Sequence, residues 1–272
     1  MTWRQIAGKC KAKAFGLLSP GRNLRRLAFA LDGWSLRNET PEYVERAEYG
    51  PSNLEVKLQR VAAGGPFEPR DVSLVNMVAV RLVGEATKVL EVGSGTAMFA
   101  SRLAALRPEV HITASEFEDR TREWAAANRS ASNIEFCSRS LNSFSVDEFD
   151  LVVALEVVEH IHDYAAFLHG LSRAAARAII STPNKNRSAF DSMASEPAFD
   201  QHVREWTAGE LYWVLRVFWN RVELYTLPHI DRQAKAFAAD AHYDPTYART
   251  GLHCREHNLI AVCSDPVREH AS

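Results

Sequence analysis

The sequence predicts an α/β fold built on a doubly wound, mainly parallel sheet. Two observations carry this reading. A short apolar run, Lys88-Val-Leu-Glu-Val92, breaks into Gly93-Ser-Gly95 and then into helical spacing from Ala97 to Leu106. The same alternation of strand and helix then recurs along the chain, and strands separated by helices of about 10–15 residues pack as a parallel sheet with both faces covered. The first helix stops at Pro108, which has no N–H to continue it. Residues 110–114 read as the second strand, followed by a helix over 121–128, and 134–137 as the third. Residues 150–155 form the fourth, with a helix over 163–175, and 178–181 the fifth. Thr207-Ala-Gly-Glu210 has capping-box spacing and opens an amphipathic helix that runs through Leu215. Residues 222–227 and 258–263 read as closing strands, separated by a long polar loop rich in His, Tyr, Asp and Arg. Upstream, Gly64-Gly-Pro66 marks a boundary near residue 70. It separates an N-terminal appendage (1–70) from the α/β domain (71–272), with Asp71 capping the helix before the first strand.

Composition narrows the function classes. The chain has 272 residues, 46% hydrophobic and 24% charged, with 13 Gly and 11 Pro, so collagen-like, low-complexity and wholly disordered classes drop out. No run of 18 apolar residues exists, which excludes a membrane-spanning helix. The formal net charge of −2 argues against a globally basic nucleic-acid binder. That sum conceals an asymmetry: residues 1–40 hold eight Lys and Arg against Asp32 and Glu39, a net +6 that leaves −8 for the remainder. Trp3, Ile6, Phe15, Leu24, Leu27 and Phe29 interleave with these charges, a pattern of short basic amphipathic helices broken at Ser19-Pro20-Gly21. Such an arm can rest on an anionic membrane surface or lie solvated against the main domain. Four scattered cysteines, Cys10, Cys137, Cys254 and Cys263, form no Cys-x-x-Cys pair and predict a reduced, cytoplasmic protein.

The segment Val89-Leu-Glu-Val-Gly-Ser-Gly-Thr-Ala97 places two glycines where the backbone must turn sharply and approach a ligand. Glu91 stands near the carboxyl end of the first strand, the rim where open α/β sheets bind ligands. Glu116 ends the second strand 23 residues beyond Gly93, at the offset where an acid can accept both hydroxyls of a ribose. The third position of the dinucleotide fingerprint is Met98, which disfavours a nicotinamide dehydrogenase.

With these residues in hand, the chain resembles the class I S-adenosylmethionine-dependent methyltransferases over about residues 71–264. The resemblance extends to residues 149–161 at the fourth strand, to Ile179-Ile-Ser-Thr-Pro-Asn184 after the fifth, and to His202-Val-Arg-Glu-Trp-Thr-Ala-Gly-Glu-Leu211. It implies a Rossmann-like seven-stranded sheet whose last strand is antiparallel. Glu91, Gly93 and Gly95 would hold the methionine moiety of S-adenosyl-L-methionine, Glu116 the ribose and Phe117 the adenine face. Leu155 and Glu156 would line the sulfonium side. The third motif glycine is Ala97, and Ser140-Leu141 stand where many relatives place an Asp beside the adenine amino group.

Methyl transfer asks the protein to align the acceptor, exclude water and, for a hydroxyl, remove a proton. Glu156-Val-Val-Glu159-His160 and the distal His202 are the residues suited to this. If the fourth strand turns directly into a helix, positions 156, 159 and 160 share a face. The set is similar to that of metal-dependent small-RNA 2′-O-methyltransferases, in which two Glu and two His bind a divalent ion. A similar Glu-x-x-Glu-His occurs in ubiquinone-pathway O-methyltransferases. The resemblance thus implies Mg²⁺ or Mn²⁺ on Glu156, Glu159, His160 and His202, or a metal-free enzyme using a histidine as base, and a purely structural role stays open.

The reading that follows is a methyltransferase acting on a hydroxyl of a small molecule or glycan, with peripheral membrane contact through residues 1–40. Methylation of a terminal RNA ribose is the alternative, opposed by the acidic balance outside the arm. A non-catalytic cofactor-binding scaffold is the third reading. Acceptor choice falls to residues 1–70 and to the loop over about 228–257, which carries His229, His253 and His257.

Overall fold

An apolar strand can occupy the middle of a sheet only when helices cover both of its faces, and the central strands here meet that condition. The computed structural model describes residues 53–64, 70–187, 202–240 and 243–268. β1 (Lys88–Val92) pairs in parallel with β2 (His111–Ser115) on one side and with β4 (Phe149–Leu155) on the other. β3 (Ile134–Cys137) extends β2, and β5 (Ala175–Pro183) extends β4, both in parallel. β8 (Asn258–Pro266) then runs antiparallel to β5, β6 (Trp219–Thr226) antiparallel to β8, and β7 (Ala248–Arg249) antiparallel to β6. The order across the sheet is β3-β2-β1-β4-β5-β8-β6-β7.

Because β6 reverses β8, which reverses β5, the carboxyl ends of β1, β4, β5 and β6 and the amino end of β8 share one rim. All the site residues discussed below lie along it.

The period-two alternation of strand side chains divides the core into two layers. Leu90, Val152 and Ala154 face one layer together with Leu168, Leu171, Trp206 and Trp219. Val89, Leu151 and Val153 face the other, with Leu74, Leu103 and Ile112. The helices that close these layers are α1 (Asn53–Ala62), α2 (Arg70–Leu82), α3 (Met98–Leu106), α4 (Asp119–Asn128), α5 (Tyr164–Ala174), α6 (Ala208–Phe218) and α7 (Ile230–Ala239). Asp163 caps α5 by accepting from the Ala166 N–H at 2.9 Å. The capping box of α6 forms as its spacing predicts, with Thr207 and Glu210 bonded reciprocally.

The structure departs from the sequence expectation in four places. The sheet has eight strands among the described residues, not seven, because the two-residue β7 pairs on the edge of β6, a length too short to show any periodicity. The stretch read as a polar loop after β6 contains α7, whose narrow apolar stripe of Ile230, Ala234 and Phe237 packs on the second core layer. The sequence pattern marks no helix over 53–62, where α1 lies in the same compact unit as the sheet. Asp71 lies inside α2 instead of preceding it. The expectations placed on residues 1–40 fall outside the described residues, and among those described no helix is long and apolar enough to cross a membrane.

Leu151 is fully buried between β1 and β5. Replacing it with Ala should destabilise the protein by about 2–5 kcal/mol, the range for a core Leu whose cavity cannot collapse, as read from the midpoint of urea unfolding.

Candidate active site

The turn after β1 is held left-handed at three positions: Gly93 (φ 66°), Gly95 (φ 52°) and Ala97 (φ 54°). The Gly93 and Ser94 N–H groups both donate to the Ser115 carbonyl, at 2.9 and 3.1 Å, which folds the turn across the end of β2. A Cβ on Gly93 would sit 2.8 Å from a methyl of Val157, so no other residue fits there.

Two buried carboxylates flank this turn. The Glu116 carboxylate accepts from the Gly95 N–H at 2.8 Å with one oxygen and from the Glu118 N–H at 2.9 Å with the other. Glu91 accepts from the Ala100 N–H at 3.2 Å. Burial pushes the Glu91 pKa up to about 8, with the Glu116 charge adding to the effect and the Ala100 N–H and the Lys57 ammonium opposing it. Phe117, next to Glu116, is 54% exposed and stands at the open side.

Lys57 was invisible to motif reasoning. It lies on α1, three residues after the buried Leu54, so it projects from the face that packs inward. Its ammonium is buried and donates to the Thr96 hydroxyl in the glycine turn at 2.9 Å. A lysine on the apolar face of an amphipathic helix was the one available signal. Ser140 is exposed. Leu141 turns its side chain onto Gly170 of α5 and joins the first core layer. Leu155, half-buried, ends β4 opposite Ser181.

The second half of the site begins where β4 ends. Glu156 adopts a left-handed backbone (φ 55°), a strained conformation for a residue with a Cβ. Its N–H donates to the Ser181 carbonyl at 3.1 Å, and its carboxylate accepts from the Ser181 hydroxyl at 2.7 Å. A single 3₁₀ turn, Val158–His160, follows in place of a helix. It brings Glu159 and His160 together with His202, with ligand-type atoms of all three within 4.8 Å of one another and the two imidazole centroids 4.9 Å apart. Glu156 is not part of this group, its carboxylate being directed to Ser181.

His202 reaches the group because its loop is strapped to the 3₁₀ turn. The Val203 and Arg204 N–H groups donate to the Glu159 carbonyl at 2.7 and 3.2 Å, and Lys185 N–H donates to the Trp206 carbonyl at 2.8 Å. Its Nδ1 lies 2.9 Å from a carboxylate oxygen of Glu205, itself buried, a contact that fixes the ring orientation. Ser181 and Glu205 are functional partners that the sequence did not single out.

The Glu159 carboxylate is buried, and among the described residues neither oxygen makes a well-formed hydrogen bond, the Thr182 hydroxyl being the neighbour that eases its charge. Burial, and then the charges of Glu156 and Glu205, hold its pKa well above the ordinary carboxylate range. An orphaned acid beside two imidazoles is a donor set that accepts a proton or a cation.

The sequence matches a methyltransferase-domain family over residues 46–218. The chain belongs to that family. Several solved structures share the fold. A SAM-dependent methyltransferase from Thermotoga maritima matches at 14% identity over 72% of this chain and 89% of its own, with a TM-score of 0.53. The methyltransferase domain of bacterial CtHen1-C matches at 19% identity over 72% and 100%, with a TM-score of 0.51. The N-terminal domain of EvdMO1, solved in the presence of SAH and D-fucose, matches at 16% identity over 74% and 85%, with a TM-score of 0.50. No curated protein sequence matches. The protein carries a methyltransferase domain of Rossmann-like fold.

The raised pKa of Glu91 gives a pH signature. Between the ordinary carboxylate pKa of about 4.5 and its folded value of about 8, the folded state keeps a proton that the unfolded chain has released, so stability falls as pH rises through that window. Glu91→Gln removes this penalty. Its melting temperature should exceed that of the wild type at pH 8.5 and match it near pH 5, while its affinity for S-adenosylhomocysteine drops at least about tenfold. Parallel thermal melts and titration calorimetry check both halves.

Proposed function

We propose that this methyltransferase transfers the methyl group to a hydroxyl oxygen of a small-molecule or glycan acceptor. The observation that carries the reading is the Glu159, His160 and His202 group at the end of β4, with its unsatisfied buried carboxylate. Nitrogen acceptors that are already unprotonated do not need proton removal, whereas a hydroxyl does.

Glu91, the Gly93–Gly95 backbone, Glu116 and Lys57 form the donor side. S-adenosyl-L-methionine, when bound, supplies a methyl group on a sulfonium leaving group. On the acceptor side His202 is the better base, because Glu205 holds its Nδ1 and stabilises the imidazolium that forms when the ring takes the hydroxyl proton. His160, at 4.9 Å between ring centroids, is placed to orient the same hydroxyl. Burial and the Glu156 charge favour the protonated form of Glu159 when no cation faces it, which works against two adjacent negative charges beside Glu156.

One carboxylate and two imidazoles fit a divalent ion, Mn²⁺ better than Mg²⁺ because imidazole is a softer ligand than water or carboxylate. With the ion bound, Glu159, His160 and His202 would hold it and it would lower the pKa of the acceptor hydroxyl, an alternative to the metal-free route in which His202 takes the proton. A reduced, cytoplasmic setting agrees with the unpaired Cys137, Cys254 and Cys263. Contact of residues 1–40 with an anionic membrane surface is part of the proposal and rests on their +6 charge alone. A second reading, methylation of a terminal RNA ribose, draws on the same three residues. The −8 balance outside residues 1–40 weighs against it.

His202→Ala and Glu205→Gln separate these roles in a methyl-transfer assay with labelled donor over glycans, small phenols and short RNA. His202→Ala should lower kcat by about 10²–10⁴, the usual worth of a general base, with donor affinity intact. Glu205→Gln should lose about 10–100-fold in kcat with donor affinity and melting temperature unchanged, which loss of a structural contact alone would not leave intact. Activity restricted to RNA, or wild-type kcat in His202→Ala, would sink the proposal. A chelator-treated enzyme that recovers with Mn²⁺ assigns the ion to the site.

A further inference from the structure

Beside the catalytic group, the carboxyl-end rim holds a cavity of about 500 Å³ lined by His229, Asp231, Arg232, Arg255, Glu256 and His257, with Ile230 at its floor. Its walls come from the start of α7, just after β6, and from the segment that leads into β8. In the sheet these strands lie two to three positions from β4, about 10–14 Å at roughly 4.8 Å per strand. The cavity therefore opens on the same side as Glu159, His160 and His202 but does not include them.

Asn184, which closes the Ser-Thr-Pro-Asn motif, joins the two places. It is fully buried, and its N–H donates to the His257 carbonyl at 2.8 Å. Its amide donates to the Cys254 and Glu256 carbonyls at 3.0 and 2.9 Å. It also bridges to Trp206 in the loop that carries His202. The cavity wall and the catalytic loop thus hang from one residue.

The chemistry of the lining selects among ligands. Arg232 and Arg255 are exposed, and among the described residues neither guanidinium pairs with a carboxylate. Glu256 accepts from the His229 N–H at 3.3 Å, and His229 is fixed in a left-handed backbone (φ 54°). The two arginines balance Asp231 and Glu256, so the wall presents fork-shaped donors and paired acceptors with no net charge apart from the imidazoles. An apolar ligand would strip water from four charges without replacing it. A phosphate would satisfy the arginines but face two carboxylates. A polyhydroxyl ligand, each of whose hydroxyls both donates and accepts, satisfies all of them.

We propose that this cavity is a saccharide subsite, holding a sugar unit of the acceptor next to the one that is methylated. The proposal rests on the hydroxyl-transfer reading above and deepens it: the acceptor is an oligosaccharide or a glycoside with at least one sugar beyond the reacting ring. Arg232 and Arg255 act on acceptor specificity and take no part in the chemical step.

The test uses the full chain on an array of immobilised oligosaccharides in the presence of S-adenosylhomocysteine, comparing wild type, Arg232→Ala/Arg255→Ala and His202→Ala. Both arginines are exposed, and equal affinity for S-adenosylhomocysteine verifies that the double variant is folded. The expected result is retention of a defined set of saccharides by wild type and His202→Ala, with at least tenfold weaker retention by the double variant. An unchanged profile in the double variant, or retention of no saccharide by wild type, overturns the subsite. The array ligands are then offered as acceptors with labelled donor. Saccharides that bind through the arginines yet gain no O-methyl group leave the subsite standing and defeat the hydroxyl-transfer reading. Equal kcat/KM for wild type and double variant on a methylated saccharide defeats the subsite and leaves the transfer reading standing.

Discussion

The contact between Gly93 and Val157 is the constraint on which both halves of the site depend. β1 and β4 are neighbours in register, Glu91 opposite Val153, so the turns that leave their carboxyl ends emerge side by side. The turn after β1 folds back across the end of β2, and the turn after β4 reverses sharply enough to bring Glu159 and His160 to His202. Both demands are met by letting the Val157 methyl occupy the space that a Cβ on Gly93 would take. Any side chain at Gly93 would push the β4 turn outward and carry Glu159, and with it the strapped segment of His202, away from the donor side. The contact thus ties the β1 turn to the β4 turn through packing, with no moving part required.

Three of the buried carboxylates along the rim, Glu116, Glu91 and Glu159, differ in how completely the protein satisfies them. Glu116 has both oxygens occupied by backbone N–H groups and stabilises the turn as it stands. Glu91 has one N–H and, close by, a buried lysine that partly offsets its charge. Glu159 makes no well-formed hydrogen bond with either oxygen among the described residues. Burying a polar group without a hydrogen bond costs on the order of 1–3 kcal/mol in proteins, a cost that persists where a ligand, a proton or an ion completes the set. The degree of unmet demand rises from β2 to β1 to β4, towards the group of Glu159, His160 and His202.

Much of the fold was legible because it rests on local signals. Strand periodicity, glycines at a forced turn and capping-box spacing are properties of a few adjacent residues, and β1, β4, α5 and α6 formed within a few positions of where these signals put them. What escaped was set by tertiary contact. β7 is two residues of edge pairing. α7 is polar on most of its surface and gains its stability from Gln233, whose amide bonds the Pro228 and Thr246 carbonyls. At the site, Glu159, His160 and His202 could be singled out because side-chain type and strand position were enough. Lys57, Ser181 and Glu205 could not, since each acts by reaching another element: Thr96 from α1, Glu156 from β5, and His202 from within its own loop. The grouping of Glu156 with the metal-type residues assumed a helix after β4. A 3₁₀ turn rotates successive side chains by about 120° instead of about 100°, and with the left-handed step at Glu156 it sends that carboxylate to Ser181.

The distribution of backbone strain points the same way. Among the described residues five non-glycine positions have positive φ: Ala97, Asp147, Glu156, His229 and Asp265. Asp147 and Asp265 lie at the opposite rim, near the start of β4 and the end of β8, and aspartate tolerates this conformation because its short side chain can bond locally. Ala97 and Glu156 have no such excuse, and each costs about 1 kcal/mol or more. They sit at the ends of β1 and β4, and His229 at the end of β6, so the strain not explained by residue type follows the ligand rim and is absent from the far one. A sheet with two fully packed core layers can hold these positions against their local preference. The backbone N–H groups and carboxylates they aim outward are therefore fixed before any ligand arrives, so less ordering remains to be done on binding.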